Sequence, residues 1–329
     1  MTLLTRRTLV PALLIFFCLV TTLPAKAGHH VSEPAKKAIV LAAFGTSYPK
    51  TLESILNIRD KVTAEFPDIH IRLAFTSDII RGIWQKRQTD EQWLKENPSI
   101  PEDILYVKSP LATLGLLQDE GYKDITVQPL HIFAGEEFAD LKAVMVGLRS
   151  IKTVKAKWQP FTSLRLGRPA LGMPGDKYPY MDDIRTAVDA LAHDVEDAKA
   201  NNAALVYMGH GNDLYSTGIY AEFQREMQAV HGYPVFVGCV EGFPNFNDLL
   251  AALKASGKKN VLMKPFMVVA GDHASNDMAG DEDDSWKVML TKAGFNVKTE
   301  LRGLGSVDAF AQMYVDHLKD ALSQTHMLP

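Results

Sequence analysis

Three residues far apart in the chain, His210, Glu241 and His273, are of the types that hold a transition metal. Each follows an apolar run of the kind that forms a buried strand: Ala204 to Met208, Pro234 to Val240 and Asn260 to Val268. In an open parallel sheet, ligands bind beyond the carboxyl ends of the strands, so all three are expected at one end of one sheet. Two imidazoles and a carboxylate suit a divalent first-row metal and leave coordination positions open. Gly209 and Gly211 bracket His210, Gly242 follows Glu241 and Gly271 precedes His273, which gives the backbone room for a bulky ligand. No dinucleotide-binding glycine fingerprint or P-loop lysine accompanies them, so nucleotide binding has no support.

The elements that must position this set come in two copies. Val127-Gln128-Pro129-Leu130-His131-Ile132-Phe133-Ala134-Gly135-Glu136-Glu137 is echoed by Met263-Lys264-Pro265-Phe266-Met267-Val268-Val269-Ala270-Gly271-Asp272-His273. Earlier in each half, Val40-Leu41-Ala42-Ala43-Phe44-Gly45-Thr46 is matched by Leu205-Val206-Tyr207-Met208-Gly209-His210-Gly211. The fold class is α/β: two Rossmann-like units with parallel sheets, related by a pseudo-twofold and facing across a cleft. Residues 28–150 make the first half, 151–200 a linking strand and helix, and 201–329 the second half with the metal set. Strands are expected at 38–44, 70–75, 103–107 and 124–130, then a strand and a crossing over 158–170, and strands at 204–208, 234–240, 260–268 and 296–301. Helices fall between them, among them 51–66, 111–120, 136–150, 182–200, 217–231 and 307–323.

His131 occupies the corresponding strand end of the first half, with Glu136 and Glu137 close behind. Facing a metal across the cleft it would take or relay a proton; the alternative is a hydrogen-bonded histidine of the cleft wall. Cys239 reads as core. The run Asp281 to Asp284 reads as a solvated helix N-terminus.

The first 27 residues read as an address. Arg6 and Arg7 precede an apolar stretch, Leu9 to Leu23, and Ala25-Lys26-Ala27 offers a signal peptidase its small residues. Thr5-Arg6-Arg7-Thr8-Leu9 resembles a twin-arginine signal. An exported, periplasmic protein cleaved near Ala27 and keeping no stable membrane anchor is expected, with an uncleaved anchor as the alternative. Cleavage removes three basic residues and no acid, taking the formal net charge from −4 to −7. Such a chain lacks the basic footprint of a nucleic-acid binder. Cys239 is then the only cysteine, so no intramolecular disulfide is available.

Phe44-Gly45-Thr46-Ser47, Gln128-Pro129-Leu130-His131, Met208-Gly209-His210-Gly211, Val240-Glu241, Val269 to Ala274, Asn276 to Ala279 and Asp284 to Lys287 together resemble the anaerobic cobaltochelatases of the CbiK type, which are class II chelatases. The resemblance covers residues 37–322. It implies ATP-independent insertion of Co²⁺ into sirohydrochlorin or a related tetrapyrrole for cobalamin synthesis. It also implies that His210, Glu241 and His273 hold the incoming metal, with Fe²⁺ as a second metal. A polycarboxylate ring would need cationic partners, for which Arg81, Lys108, Arg165 and Lys264 are candidates. Members of that family act in the cytoplasm, so the export signal is a departure and concerns the physiological substrate. The alternative reading is an exported haem, tetrapyrrole or metal carrier. His29, His30, His70, His193, His231, His317 and His326 are then available as axial haem ligands, at the interface of a homo-oligomer. A His/Glu/His zinc hydrolase ranks last, because no separate general base stands beside the three residues.

Overall fold

A computed structural model describes residues 35–173 and 178–325. The expected export segment, the loop around Gly175 and three of the spare histidines (His29, His30 and His326) lie outside the described residues.

Long apolar runs are stable as strands only when both faces are covered, and here they form two parallel four-stranded sheets. In the first, β1 (Lys36–Ala43), β2 (His70–Phe75), β3 (Tyr122–Leu130) and β4 (Ser163–Leu166) lie in the order β2-β1-β3-β4. In the second, β5 (Ala203–Gly211), β6 (Val235–Glu241), β7 (Asn260–Phe266) and β8 (Asn296–Thr299) lie in the order β6-β5-β7-β8. Every neighbouring pair is parallel. The two orders are the same, as the internal near-repeat requires.

The period of two along each strand sends alternate side chains into different cores. Ile39, Leu41 and Ala43 enter a central core, while Val40 and Ala42 enter an outer one. Leu205 and Tyr207 join the same central core, and Ala204, Val206 and Met208 form a second outer one. Between the sheets, the central core takes the buried faces of helices Leu52–Glu65, Tyr180–Ala190, Gly218–His231 and Asp308–Leu322. The last helix returns to the first half. Asn57 Nδ2 donates to the Gly305 carbonyl at 2.9 Å just before it, and Tyr314 OH donates to the His131 carbonyl at 3.2 Å.

Two expectations fail locally. The stretch 103–107 is a short helix, Glu102–Leu105, not a strand. Pro101 fixes its start and Glu102 and Asp103 sit favourably in its first turn, so end chemistry outweighs the apolar pattern. The stretch 182–200 is two helices, Tyr180–Ala190 and Ala192–Ala200, broken at Leu191.

Candidate functional site

The strand ends expected to carry chemistry meet around one cleft of about 510 Å³. Its walls come from the loops leaving β1 and β3 on one side and β5, β6 and β7 on the other. His131, His210, Glu241 and His273 all line it. The strands run further than their apolar patterns, so His210 and Glu241 sit on the last residues of β5 and β6. The register pairs Gly211 with Glu241. His273 lies seven residues beyond the end of β7, at the start of a one-turn π-helix, Ala274–Met278.

The imidazoles of His210 and His273 are neighbours, with ring centroids 4.7 Å apart and planes at 83°. Nδ1 of His210 lies 3.0 Å from the Gly211 carbonyl oxygen, and Nδ1 of His273 lies 2.5 Å from Asp277 Oδ2. A carbonyl or carboxylate oxygen accepts, so in each ring Nδ1 carries the hydrogen and Nε2 keeps its lone pair. Nε2 is therefore the nitrogen of each ring left without a bond to these partners. Glu241 is exposed on the same wall. Among the described residues, no three His, Cys, Asp or Glu side chains are drawn together closely enough to hold a metal ion. The fold brings the two histidines together and leaves Glu241 apart from them.

Gly211 makes this approach feasible. Its φ is +76°, and a Cβ there would stand 1.8 Å from the Glu241 carbonyl oxygen. A side chain at 211 must push β6 away from β5. We expect Gly211→Ala to lower stability by about 2–4 kcal/mol, combining left-handed strain with the collision. Thermal unfolding measures that loss, and an unchanged melting temperature would contradict the close approach.

His131 faces the cleft from the first half, but its environment differs from the pattern of a solvated relay. It is 7 % exposed, neither ring nitrogen has a hydrogen-bond partner among the described residues, and the Phe138 ring packs edge-to-face with its centroid 6.4 Å away. Burial lowers its pKa to about 4. The ring is neutral at pH 7, so the unfolded chain binds a proton between about pH 6.5 and 4 that the native chain does not. Stability therefore falls as pH drops through that window, by ~3 kcal/mol if the full shift is realised. His131→Leu is expected to flatten this part of the stability profile in denaturant titrations at pH 7 and pH 4.5. An identical acid sensitivity in the variant would refute it.

The first-half wall is stiff. Trp84 Nε1 donates to the Thr46 carbonyl at 2.9 Å, and Arg87 Nη1 donates to the Ser47 carbonyl at 2.7 Å. The Arg87 guanidinium lies 4.6 Å from the rings of both Trp84 and Trp93. From this pinned loop Tyr48 OH donates to Asp272 Oδ1 across the cleft at 2.6 Å. A second cross-cleft bond runs from the Leu214 N–H to Glu136 Oε1 at 3.0 Å. The sequence reading missed Tyr48, Asp272 and Asp277. Only the four-residue spacing of His273 and Asp277 within a helical turn was a usable signal.

The four cationic candidates lie elsewhere. Arg81 donates to the Phe75 and Thr76 carbonyls, Arg165 pairs with Asp124, and Lys264 is buried against Asp194. Lys108 does not line the cleft either, and among the described lining residues there is no lysine or arginine. Acids are present instead: Glu136, Glu137, Glu241 and Asp272. Of the spare histidines, His317 bonds to Asp183, His193 pairs with Asp194, and His70 stacks on Tyr122. His231 buries an Nε2 that has no partner among the described residues, away from the cleft lining.

Comparison with known proteins agrees with this architecture. The profile of the cobalt chelatase (CbiK) family matches residues 37–323. The sirohydrochlorin cobaltochelatase of Salmonella typhimurium is 34 % identical over 290 residues, covering 88 % of this chain and 97 % of that protein. The sirohydrochlorin cobaltochelatase CbiKC of Nitratidesulfovibrio vulgaris is 30 % identical, covering 88 % and 91 %. The sirohydrochlorin chelatase SirB of Bacillus subtilis, solved in complex with cobalt, shares the fold at a TM-score of 0.54 and 12 % identity, over 88 % of this chain and 96 % of that one. A relative one-third identical over nearly its whole length, together with a profile match across almost all the described residues, shows that the chain belongs to the cobalt chelatase (CbiK) family.

Proposed function

We propose that the protein inserts Co²⁺ into sirohydrochlorin, or a closely related tetrapyrrole, without nucleotide, and that His210 and His273 hold the incoming metal, with Glu241 joining them only when its exposed side chain swings towards the pair. The observation that carries this reading is the pair of adjacent imidazoles whose Nδ1 atoms are both tied, leaving two Nε2 atoms at one wall of a cleft. Imidazole and carboxylate displace water from a hydrated divalent ion without trapping it as thiolates would. The macrocycle must lose two pyrrole N–H protons as the metal enters. Glu241, exposed on the cleft wall, is the acceptor in reach of solvent; His131 takes part only by turning its closed ring nitrogens towards the cleft. Ile79, Ile80, Ile83 and Val268 offer apolar surface to the flat ring. With no cationic side chain along the described lining, the substrate carboxylates point outward to water, and acids in the cleft favour the cation.

Sirohydrochlorin and Co²⁺ mixed anaerobically with the protein should show the absorption change of metallation well above the spontaneous rate. Pigment that binds without turnover would instead support the carrier reading. We also assign residues 1–27 to an export signal, on the composition of that segment alone. N-terminal sequencing of protein from the periplasmic fraction should then begin at Gly28, and a start at Met1 would overturn the assignment. Fe²⁺ in place of Co²⁺ is the second metal to assay.

A further inference from the structure

We propose that Asp277 is a positioning residue for metal capture: it fixes the tautomer and rotation of His273 so that Nε2 faces the cleft. The proposal rests on the reading of His273 as a metal ligand. The two histidines are oriented by different means. His210 leans on the carbonyl of Gly211, its neighbour in a paired strand, so its orientation is built into the sheet. His273 lies outside any strand and depends on a side chain, since Nδ1 bonds the Asp277 carboxylate.

That carboxylate arrives through an unusual turn. Residues Ala274–Met278 form a π-helix, closed by Ala279 N–H on the Ala274 carbonyl at 3.2 Å. Wide turns of this kind are rare and concentrate at functional sites. Within it two four-residue pairs run side by side: His273 with Asp277, and Asp272 with Asn276, whose Nδ2 donates to Asp272 Oδ1 at 2.9 Å. Tyr48 holds the same Asp272 oxygen from across the cleft. The turn is therefore tethered at one rung and aims the histidine with the other. A carboxylate on the far nitrogen also makes the near one a better ligand, and loss of such a partner typically costs about 10–100-fold in metal affinity. His273 and Asp277 are both half-exposed, so the pair adds little to folding.

The test uses the mature protein with Asp277→Ala, Asp277→Asn, His273→Ala and the double variant Asp277→Ala/His273→Ala. Two readouts apply: Co²⁺ titration of the protein alone by its visible absorption, and KM for Co²⁺ against KM for the tetrapyrrole. Asp277→Ala should weaken Co²⁺ binding and raise its KM about 10–100-fold, with tetrapyrrole KM and melting temperature nearly unchanged. Asp277→Asn keeps an acceptor oxygen and should recover part of the loss. In the His273→Ala background, Asp277→Ala should add almost nothing, because its effect passes through the missing ring. A full additional loss there would show that Asp277 acts by another route and overturn the proposal. An Asp277→Ala protein with normal Co²⁺ affinity, beside a defective His273→Ala, would overturn it while leaving the metal site standing. If His273→Ala is itself normal, the ligand reading fails and the proposal with it.

Discussion

Alanine at His210 or at His273 is expected to lower kcat/KM for Co²⁺ by about 10³-fold, beyond the 10–100-fold typical of an outer-shell change. At about 1.36 kcal/mol per tenfold, that is the loss of about 4 kcal/mol of transition-state stabilisation. The reason is geometric. With ring centroids 4.7 Å apart, the proposed ligands would share one ion, and removing either leaves a single imidazole. Neither ring is part of a buried core, so folding should survive and tetrapyrrole affinity should change little. Glutamine at Glu241 should do less to Co²⁺ binding than either histidine change, because that side chain stands apart in the cleft. Steady-state insertion assays at varied Co²⁺ with fixed tetrapyrrole separate the cases. Undiminished insertion in both histidine variants would remove the proposed site.

Lys264→Ala is expected to give the largest stability loss, about 3–5 kcal/mol, without touching substrate recognition. The ammonium group is buried and pairs with Asp194 at 2.6 Å, Asp197 at 2.9 Å and Glu300 at 3.1 Å. Asp194 is buried too and accepts from Tyr207 OH at 2.6 Å. Removing the lysine strands a carboxylate in the interior, which is far worse than never having placed the pair there. For a chain of this size the melting temperature should fall by roughly 10 °C. The tetrapyrrole KM should stay at its parent value, since Lys264 does not line the cleft. A raised KM with normal stability would return Lys264 to the role of carboxylate partner.

The same network resists acid. Burial pushes the Asp194 carboxyl up, but hydrogen bonds from His193, Lys264 and Tyr207 outweigh it and hold the pKa at about 2. A depressed carboxyl contributes stability above its unfolded pKa and loses it only as pH falls towards the folded value. The contribution of Asp194 therefore persists down to about pH 4 and disappears between there and pH 2. The buried, neutral His131 acts in the milder window between pH 6.5 and 4. The two groups thus separate acid sensitivity into distinct ranges.

The sequence by itself determined the parts of this protein that depend on local pattern. Apolar runs such as Val40 to Ala43 and Ala204 to Met208 fit strands covered on both faces, and the near-repeat between the halves pointed to two sheets of one topology. That His210, Glu241 and His273 line one cleft was legible because strand ends in a parallel sheet share an edge, whatever their separation along the chain. Tertiary structure decided what pattern cannot encode. It paired the two histidines closely and left Glu241 apart, because the Gly211–Glu241 register and the π-turn after β7 set distances that spacing does not contain. It took Arg81, Arg165 and Lys264 out of the cleft by giving each a partner on another element. It made His131 a buried neutral ring, since burial depends on what packs over a residue from elsewhere in the chain. Short-range chemistry was written in the sequence; the partner of each charged or titratable group was settled by folding.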